Sequence, residues 1–237
     1  LTAPLTDALR CLYLDEDLLV LDKPAGLLCV PGRGEDKQDC LSARAQLAWP
    51  GALVVHRLDQ ATSGIVLMAR SAAVQRSLSH AFAQRQVHKR YQAVVHGRMA
   101  GTAGGGWSQI DLPIAADWER RPLRVVDAQT GKPSLTEWRV LAAEIACADP
   151  AGAAAQDGAN TAMAQAVTRL ELQPITGRTH QLRVHLSAVG HAILGDMLYA
   201  DPAVQALSPR LLLHATRLAF VHPRSGETVQ FSSTPGF

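Results

Sequence analysis

The stretch "VVHRLDQATSGIVL" (54–67) sets an arginine and a carboxylate between two runs of strand-forming residues. In an extended segment, positions two apart share a face, so Arg57 and Asp59 point one way and Leu58 the other. Charge at the exit of a buried strand is costly unless something nearby needs it. Asp59 therefore has two readings. It pairs with Arg57 or caps the Thr62-Ser63 turn, or it is a carboxylate nucleophile or base held at a strand end by a rigid scaffold.

Three further segments concentrate polar chemistry. In "VHKRYQAVVHG" (87–97), Lys89, Arg90 and Tyr91 sit where a helix gives way to a strand. They form either a solvated basic cluster with Tyr91 in the core, or a phosphate-contacting patch beside an aromatic ring that can stack on a base. In "PITGRTHQLRVH" (174–185), Arg178 stands at a helix start and Arg183 a turn later, which makes an anion site. His180 and His185 are five apart and do not share a helical face as i, i+4 ligands do, so no metal site is expected. The basic, Trp-bearing "DWERRPLRVV" (117–126) carries Arg120, Arg121 and Arg124, a solvated face or a grip on RNA phosphates.

The elements that must position these residues are mostly short strands. "LYLD" and "LLVLDKP" read as a hairpin turned at Glu16-Asp17, followed by "LVVHRLD", "GIVLMAR", "RYQAVVHG", "TEWRVLAA" and "VTRLELQP". Two helices are expected. "SAAVQRSLSHAFAQRQ" has Ser71 as N-cap and Val74, Leu78 and Phe82 every fourth residue. "GRTHQLRVHLSAVGH" has a stripe of Leu182, Leu186 and Val189, with His180, Arg183 and Ser187 on the opposite face. "MAGTAGGG" (99–106) and the Ala/Gly-rich 147–166 read as flexible surface insertions. Many strands with two or three helices, and no series of βαβ units, point to an α+β protein.

Composition narrows the class. With 237 residues, 47% of them hydrophobic, the chain can bury a sizeable core. A net charge of +2 announces no polyanion partner, so nucleic-acid binding has to rest on local patches. Cys11, Cys29, Cys40 and Cys147 lack metal-like spacing and read as reduced thiols. No segment has the length of a membrane span, the start lacks a signal-peptide pattern, and no GxGxxG or Walker loop is present. The protein is expected to be cytoplasmic and monomeric, with no membrane contact and no obligate protein partner.

The blocks "LDKPAGLLCVPGR" (21–33), "HRLDQATSG" (56–64), "KRYQAVV" (89–95), "DLPIAADWERRP" (111–122), "PITGRTHQLRVHLSAVGHAILGDMLYA" (174–200) and "RLLLHATRLAF" (210–220) follow one another in an order that resembles the RluA-type pseudouridine synthases of the RsuA/RluA family. The likeness runs from about Leu12 onward and is greatest to the short members, which modify large-subunit ribosomal RNA and tRNA anticodon stem-loops. It implies a mixed, largely antiparallel bisected β-sheet with flanking helices and loops. One catalytic domain is expected over 1–237, with a tail at 1–11 and without the S4-like RNA-binding module of longer relatives. The chain departs from the family in its long 147–166 segment and in "YA" where "YG" is more widespread.

The resemblance also assigns roles. Asp59 matches the aspartate that attacks the target nucleoside, Tyr91 the aromatic that stacks on the uracil, and Arg183 the guanidinium that pairs with the aspartate and keeps it ionised. Arg57 matches the side chain that enters the RNA stack where the flipped uridine was, filling a gap whose opening costs a few kcal/mol. His56, Thr62, Lys89, Arg90, Arg120, Arg121, Arg178 and His180 are the expected further RNA contacts, and Leu213 is expected to pack at the uracil site. No cofactor and no metal are implied, and the expected partner is structured RNA. Two readings compete: a non-catalytic RNA-binding paralogue, which has no need of the intact Asp59, Tyr91 and Arg183 set, and a phosphotransferase loop echoing "HRLD", which lacks a nucleotide loop and metal acids.

Overall fold

The computed structural model describes residues 9–146 and 165–237. In chain order the elements are β1 (Arg10–Leu14), β2 (Leu18–Lys23), α1 (Leu41–Ala48), β3 (Leu53–Val54), β4 (Ser63–Ala69), α2 (Ala72–Ala83), β5 (His88–His96), β6 (Ser108–Asp111), β7 (Ile114–Ala116) and β8 (Arg124–Val126). They continue as β9 (Leu135–Ala146), β10 (Gln165–Pro174), α3 (Gln181–Ala188), α4 (Pro202–Gln205), β11 (Leu213–Val221) and β12 (Thr228–Ser232). This is the expected α+β class, with strand pairings mostly antiparallel. Two compact units share it: Leu1–Tyr91 with His214–Phe237, and Gln92–Leu213. No helix among the described residues is long and apolar enough to cross a membrane.

In the first unit β2 pairs antiparallel with both β1 and β4, while β11 joins β4 in parallel through His214↔Ser63 and Ala215↔Gly64. The strands are buried on both faces because alternate residues serve different cores. Leu18 and Val20 of β2 join Ile65 and Leu67 of β4, Val74 and Leu78 of α2, and Phe220. Leu19 and Leu21 join Val66, Met68, Leu41 and Ala45 of α1, and Leu58, with Tyr91 packed at the margin. Helix α2 starts as its sequence dictates, the Ser71 hydroxyl accepting the Val74 N–H at 3.3 Å.

The expected strand "LVVHRLD" stops early. Only Leu53 and Val54 pair with β4, opposite Ala69 and Met68. One step further, the Leu67 N–H that a longer ladder would use is taken by Nε2 of His56 at 3.0 Å. The Ser63-Gly64 end of β4 is already paired with β11. His56–Asp59 therefore leave the ladder, although the facing is as expected, with Leu58 buried and Arg57 exposed.

In the second unit the strand order is β5-β10-β9-β6, with β7 and β8 as a separate hairpin, and α3 packs on β8, β9 and β10. The expected polar face of α3 is absent, because Gln181 through Leu186 are all buried and Val189 of the supposed apolar stripe is exposed. Long-range hydrogen bonds make this possible. Gln181 alone accepts from Thr176 Oγ1 and Arg178 N and donates to Leu135 O and Thr136 Oγ1. The glycine-rich 99–106 stretch is tethered, with Met99 N–H on Thr168 Oγ1 and Gly104 N–H on Val140 O. The N-terminal tail is shorter than expected, since Arg10 and Cys11 already belong to β1. Of the supposed 147–166 insertion, residues 147–164 lie outside the described residues, and 165 and 166 begin β10.

Candidate active site

Asp59 opens a tight turn in the first unit, its carbonyl accepting the Thr62 N–H at 3.1 Å. The turn is stitched to the segment after β2. Gly26 N–H reaches Gln60 O at 2.9 Å, and Gln60 Nε2 returns to Gly26 O at 3.0 Å. Lys23, 1% exposed, drives its ammonium into the same place and donates to Pro24 O, Leu27 O and Gln60 O at 2.8, 2.8 and 3.0 Å. Three acceptors match the three N–H bonds of the charged form. From the other side the Leu58 side chain is sunk in the core, and its N–H meets Cys29 Sγ at 3.2 Å.

These groups feel one another. Burial pushes the Lys23 ammonium down to about 8, opposed by the neighbouring Cys29 and Asp59 side chains. Burial raises the Tyr91 phenol well above its usual value, and Asp59 and then Cys29 raise it further. Tyr91 is thus a neutral phenol at physiological pH, within the field of the Asp59 carboxylate. Burial also raises the Cys29 thiol. Cys29 is inert packing here.

The residue after the turn is locked as well. Ser63 Oγ lies 2.9 Å from Nδ1 of His214, and His214 Nε2 lies 3.0 Å from Ser233 Oγ. Ser233 in turn donates to Asp22 Oδ2 at 2.8 Å. The carboxylate can only accept, so Ser233 spends its proton on Asp22 and must accept from His214 Nε2–H. His214 Nδ1 completes the relay against the Ser63 hydroxyl. At Gly64, with φ +110°, an added Cβ would collide with the Ala215 carbonyl oxygen, so the two backbones meet with nothing between.

The remaining expected residues of this unit have distinct settings. The His56 ring stacks on Phe82 at 4.5 Å between centroids and accepts a backbone N–H, with its pKa lowered to about 3 by burial and then by Lys89. Its position is that of a scaffold for the loop. Thr62 is buried in the turn, Arg57 is exposed, and Arg90 is half-buried on β5. Burial and then Arg85 depress the Lys89 ammonium.

In the second unit Arg183 forms a two-pronged pair with Asp196, Nε to Oδ2 at 2.8 Å and Nη2 to Oδ1 at 2.6 Å. The two side chains are 4% and 1% exposed. Asp196 also accepts the N–H groups of Leu198 and Tyr199, and the Arg183 guanidinium lies 5.1 Å from the Tyr199 ring centroid. The Tyr199 oxygen accepts the Arg124 N–H at 2.9 Å and lies 2.7 Å from His180 Nδ1. His180 takes the left-handed conformation, φ 56°, just ahead of α3. Arg178 lies before the helix rather than in it and donates to Pro133 O. Arg120 pairs with Asp117, Arg121 lies over Trp118, and Leu213 is buried at the unit's end.

The geometry thus gathers Asp59 and Tyr91 with Lys23 in one unit and Arg183, His180 and Tyr199 in the other. Lys23, Asp196, Tyr199 and His214 were not singled out from the sequence, although each lies within a block quoted above. A lysine inside the apolar run "LLVLDKPAGLL" was the one available signal, since buried lysine needs dedicated acceptors.

Residues 17–188 match the family model described as RNA pseudouridylate synthase. The chain belongs to that family. It is 44% identical over 226 residues to the dual-specificity RNA pseudouridine synthase RluA of Escherichia coli K12, covering 95% of this chain and 93% of that protein. It is 40% identical over 236 residues to the Pasteurella multocida protein of the same name, covering 100% and 97%. Among solved structures, human RNA pseudouridylate synthase domain containing 1 superposes with a TM-score of 0.74 at 29% identity, over 100% of this chain and 86% of that one. This pseudouridine synthase therefore isomerises uridine to pseudouridine in RNA.

Proposed function

We propose that this synthase acts on structured RNA, both large-subunit ribosomal RNA and a tRNA anticodon stem-loop, in the cytoplasm and as a monomer, with Asp59 as nucleophile. The observation that carries the reading is a carboxylate on a turn pinned by Lys23 and by Ser63, with a neutral, half-buried phenol in its field. Dual specificity is drawn from the dual-specificity RNA pseudouridine synthases that match this chain almost end to end.

Asp59 attacks the target nucleoside, and the bond between uracil N1 and ribose C1′ breaks. The uracil turns, its C5 joins C1′, the bond made by Asp59 breaks and returns the free carboxylate, and the C5 proton is lost while N1 gains one. Nothing leaves and no electron is exchanged. Orientation is the main catalytic resource when a single substrate is trapped, so a nucleophile on a pinned turn suits the task. Tyr91 stacks on the uracil. Arg183 is held in a fixed orientation by Asp196, and Arg57 fills the stack vacated by the flipped uridine.

Asp59→Asn and Asp59→Ala should abolish isomerisation while RNA binding survives, and turnover near wild type in either would remove Asp59 from the nucleophile role. Pseudouridine mapping of ribosomal RNA and tRNA, with and without the gene, tests the targets. Loss of sites in only one RNA class would refute dual specificity.

A further inference from the structure

The tip of the β7–β8 hairpin presents an aromatic ring that no fold requirement explains. Trp118 is 72% exposed, whereas Trp49, Trp107 and Trp138 are all partly buried. The loop under it is closed. Asp117 N–H bonds Leu123 O and Leu123 N–H bonds Arg120 O. The Asp117 carboxylate holds both the Arg120 N–H and its guanidinium, at 3.0 and 2.8 Å. The Arg121 guanidinium lies 4.2 Å from the Trp118 ring centroid and covers one face. The exit of the loop is tied to Tyr199 through the Arg124 N–H, and Tyr199 N–H shares Asp196 with Arg183.

We propose that Trp118 is a stacking platform for an unpaired base of the RNA substrate, with Arg121 sandwiching the ring and reaching the adjoining phosphate. This deepens the reading above and rests on structured RNA being the substrate. The charge pattern selects the occupant. An apolar protein surface docking on Trp118 would strip water from the neighbouring Glu119, Arg120 and Arg121 without pairing them, which is unfavourable. A nucleotide offers a π face for the indole and a phosphate for the arginine, and both contacts tolerate sequence. Through Tyr199 and Asp196 the platform shares one hydrogen-bonded network with Arg183, so a base stacked there is registered to the Arg183 side chain.

The test uses the full-length protein and a 17-nucleotide tRNA anticodon stem-loop, a length of about that order being enough to present a loop of unpaired bases. RNA binding should quench tryptophan emission, and Trp118→Phe should remove most of that change. Trp118→Ala should weaken binding about ten-fold, in line with one lost base stack. Single abasic substitutions through the loop should reveal one position at which the Trp118→Ala penalty disappears. If Trp118→Ala binds as wild type does, or no abasic position absorbs its penalty, the platform is refuted. Asp59→Asn should keep the quenching, so failure here and failure of the nucleophile assignment are separable.

Discussion

Ser63 and His214 are 151 residues apart in the chain and bonded at 2.9 Å, side chain to side chain, where β4 begins in parallel with β11. Ser63 is the first residue after the turn that carries Asp59. His214 is itself fixed by Ser233 and Asp22, so the turn is anchored through three side chains to the exit of β2. Ser63→Ala removes this partner from a buried ring nitrogen and should cost about 1–3 kcal/mol in unfolding free energy. With the Asp59 turn loosened, kcat should fall more than KM rises. His214→Asn, which has no second ring nitrogen to continue the relay, should behave alike, whereas equal changes in kcat and KM would mean that the relay serves stability alone.

Lys23 anchors the other end of the turn, and its titration gives a signed expectation. Its folded pKa of about 8 lies below the unfolded 10.5. Between those values the unfolded chain holds a proton that the native chain has released, so stability rises with pH across that window, by up to about 3 kcal/mol. Below pH 8 both states are protonated and the burial cost is borne in full. Lys23→Met should abolish the rise in melting temperature between pH 8 and 10. It should also destabilise the protein at pH 7 by a few kcal/mol, because the carbonyls of Pro24, Leu27 and Gln60 lose their charged donor.

Asp196 should prove as important as a residue that touches substrate. Arg183 and Asp196 are both buried, and removing one partner of such a pair leaves an uncompensated charge at a cost of about 3–5 kcal/mol. Asp196→Asn keeps the shape but removes the charge. It should lower the melting temperature and lower kcat as Arg183 loses its fixed orientation. Arg183→Lys keeps a cation without the planar fork, and it should retain less activity than its charge alone suggests. Thermal unfolding and single-turnover rates on the same preparations check both.

How much of this was legible depended on the distance over which each feature is determined. Helix α2 could be read directly, since its cap at Ser71 and its stripe of Val74 and Leu78 are local. The hairpin of β1 and β2, turned at Glu16-Asp17, was equally plain, because its two apolar arms and polar turn are adjacent in the chain. Helix α3 and its buried Leu182 and Leu186 follow from the local pattern, but the burial of its polar residues does not, because their partners lie outside the helix, His185 using Thr136 and Leu112 and Arg183 using Asp196. The end of β3 was missed for the same reason. The competitor for that edge, His214-Ala215, enters from the far end of the chain. Asp59, Tyr91 and Arg183 could be named because their neighbours repeat a family pattern. Lys23 and His214 lie within the same blocks, but the pattern assigns them no role, because they act on the turn through carbonyls and hydroxyls.

Arg57 supplies the last prediction. Leu58 is sunk in the core and Asp59 belongs to a pinned turn, so the exposed Arg57 projects from a backbone that cannot retreat. A rigid base is what a wedge requires, because a side chain that could swing away would not hold a stack open. Extruding a uridine from a stem-loop costs a few kcal/mol, whereas a flexible single strand is already unstacked in part. Arg57→Ala should therefore slow the reaction about ten-fold or more on a stem-loop and much less on an unstructured oligonucleotide carrying the same uridine. Arg57→Lys should restore charge but not the planar stacking surface, and so recover little on the stem-loop. Single-turnover rates on the paired substrates read the difference directly, and equal losses on both would show that Arg57 serves binding rather than flipping.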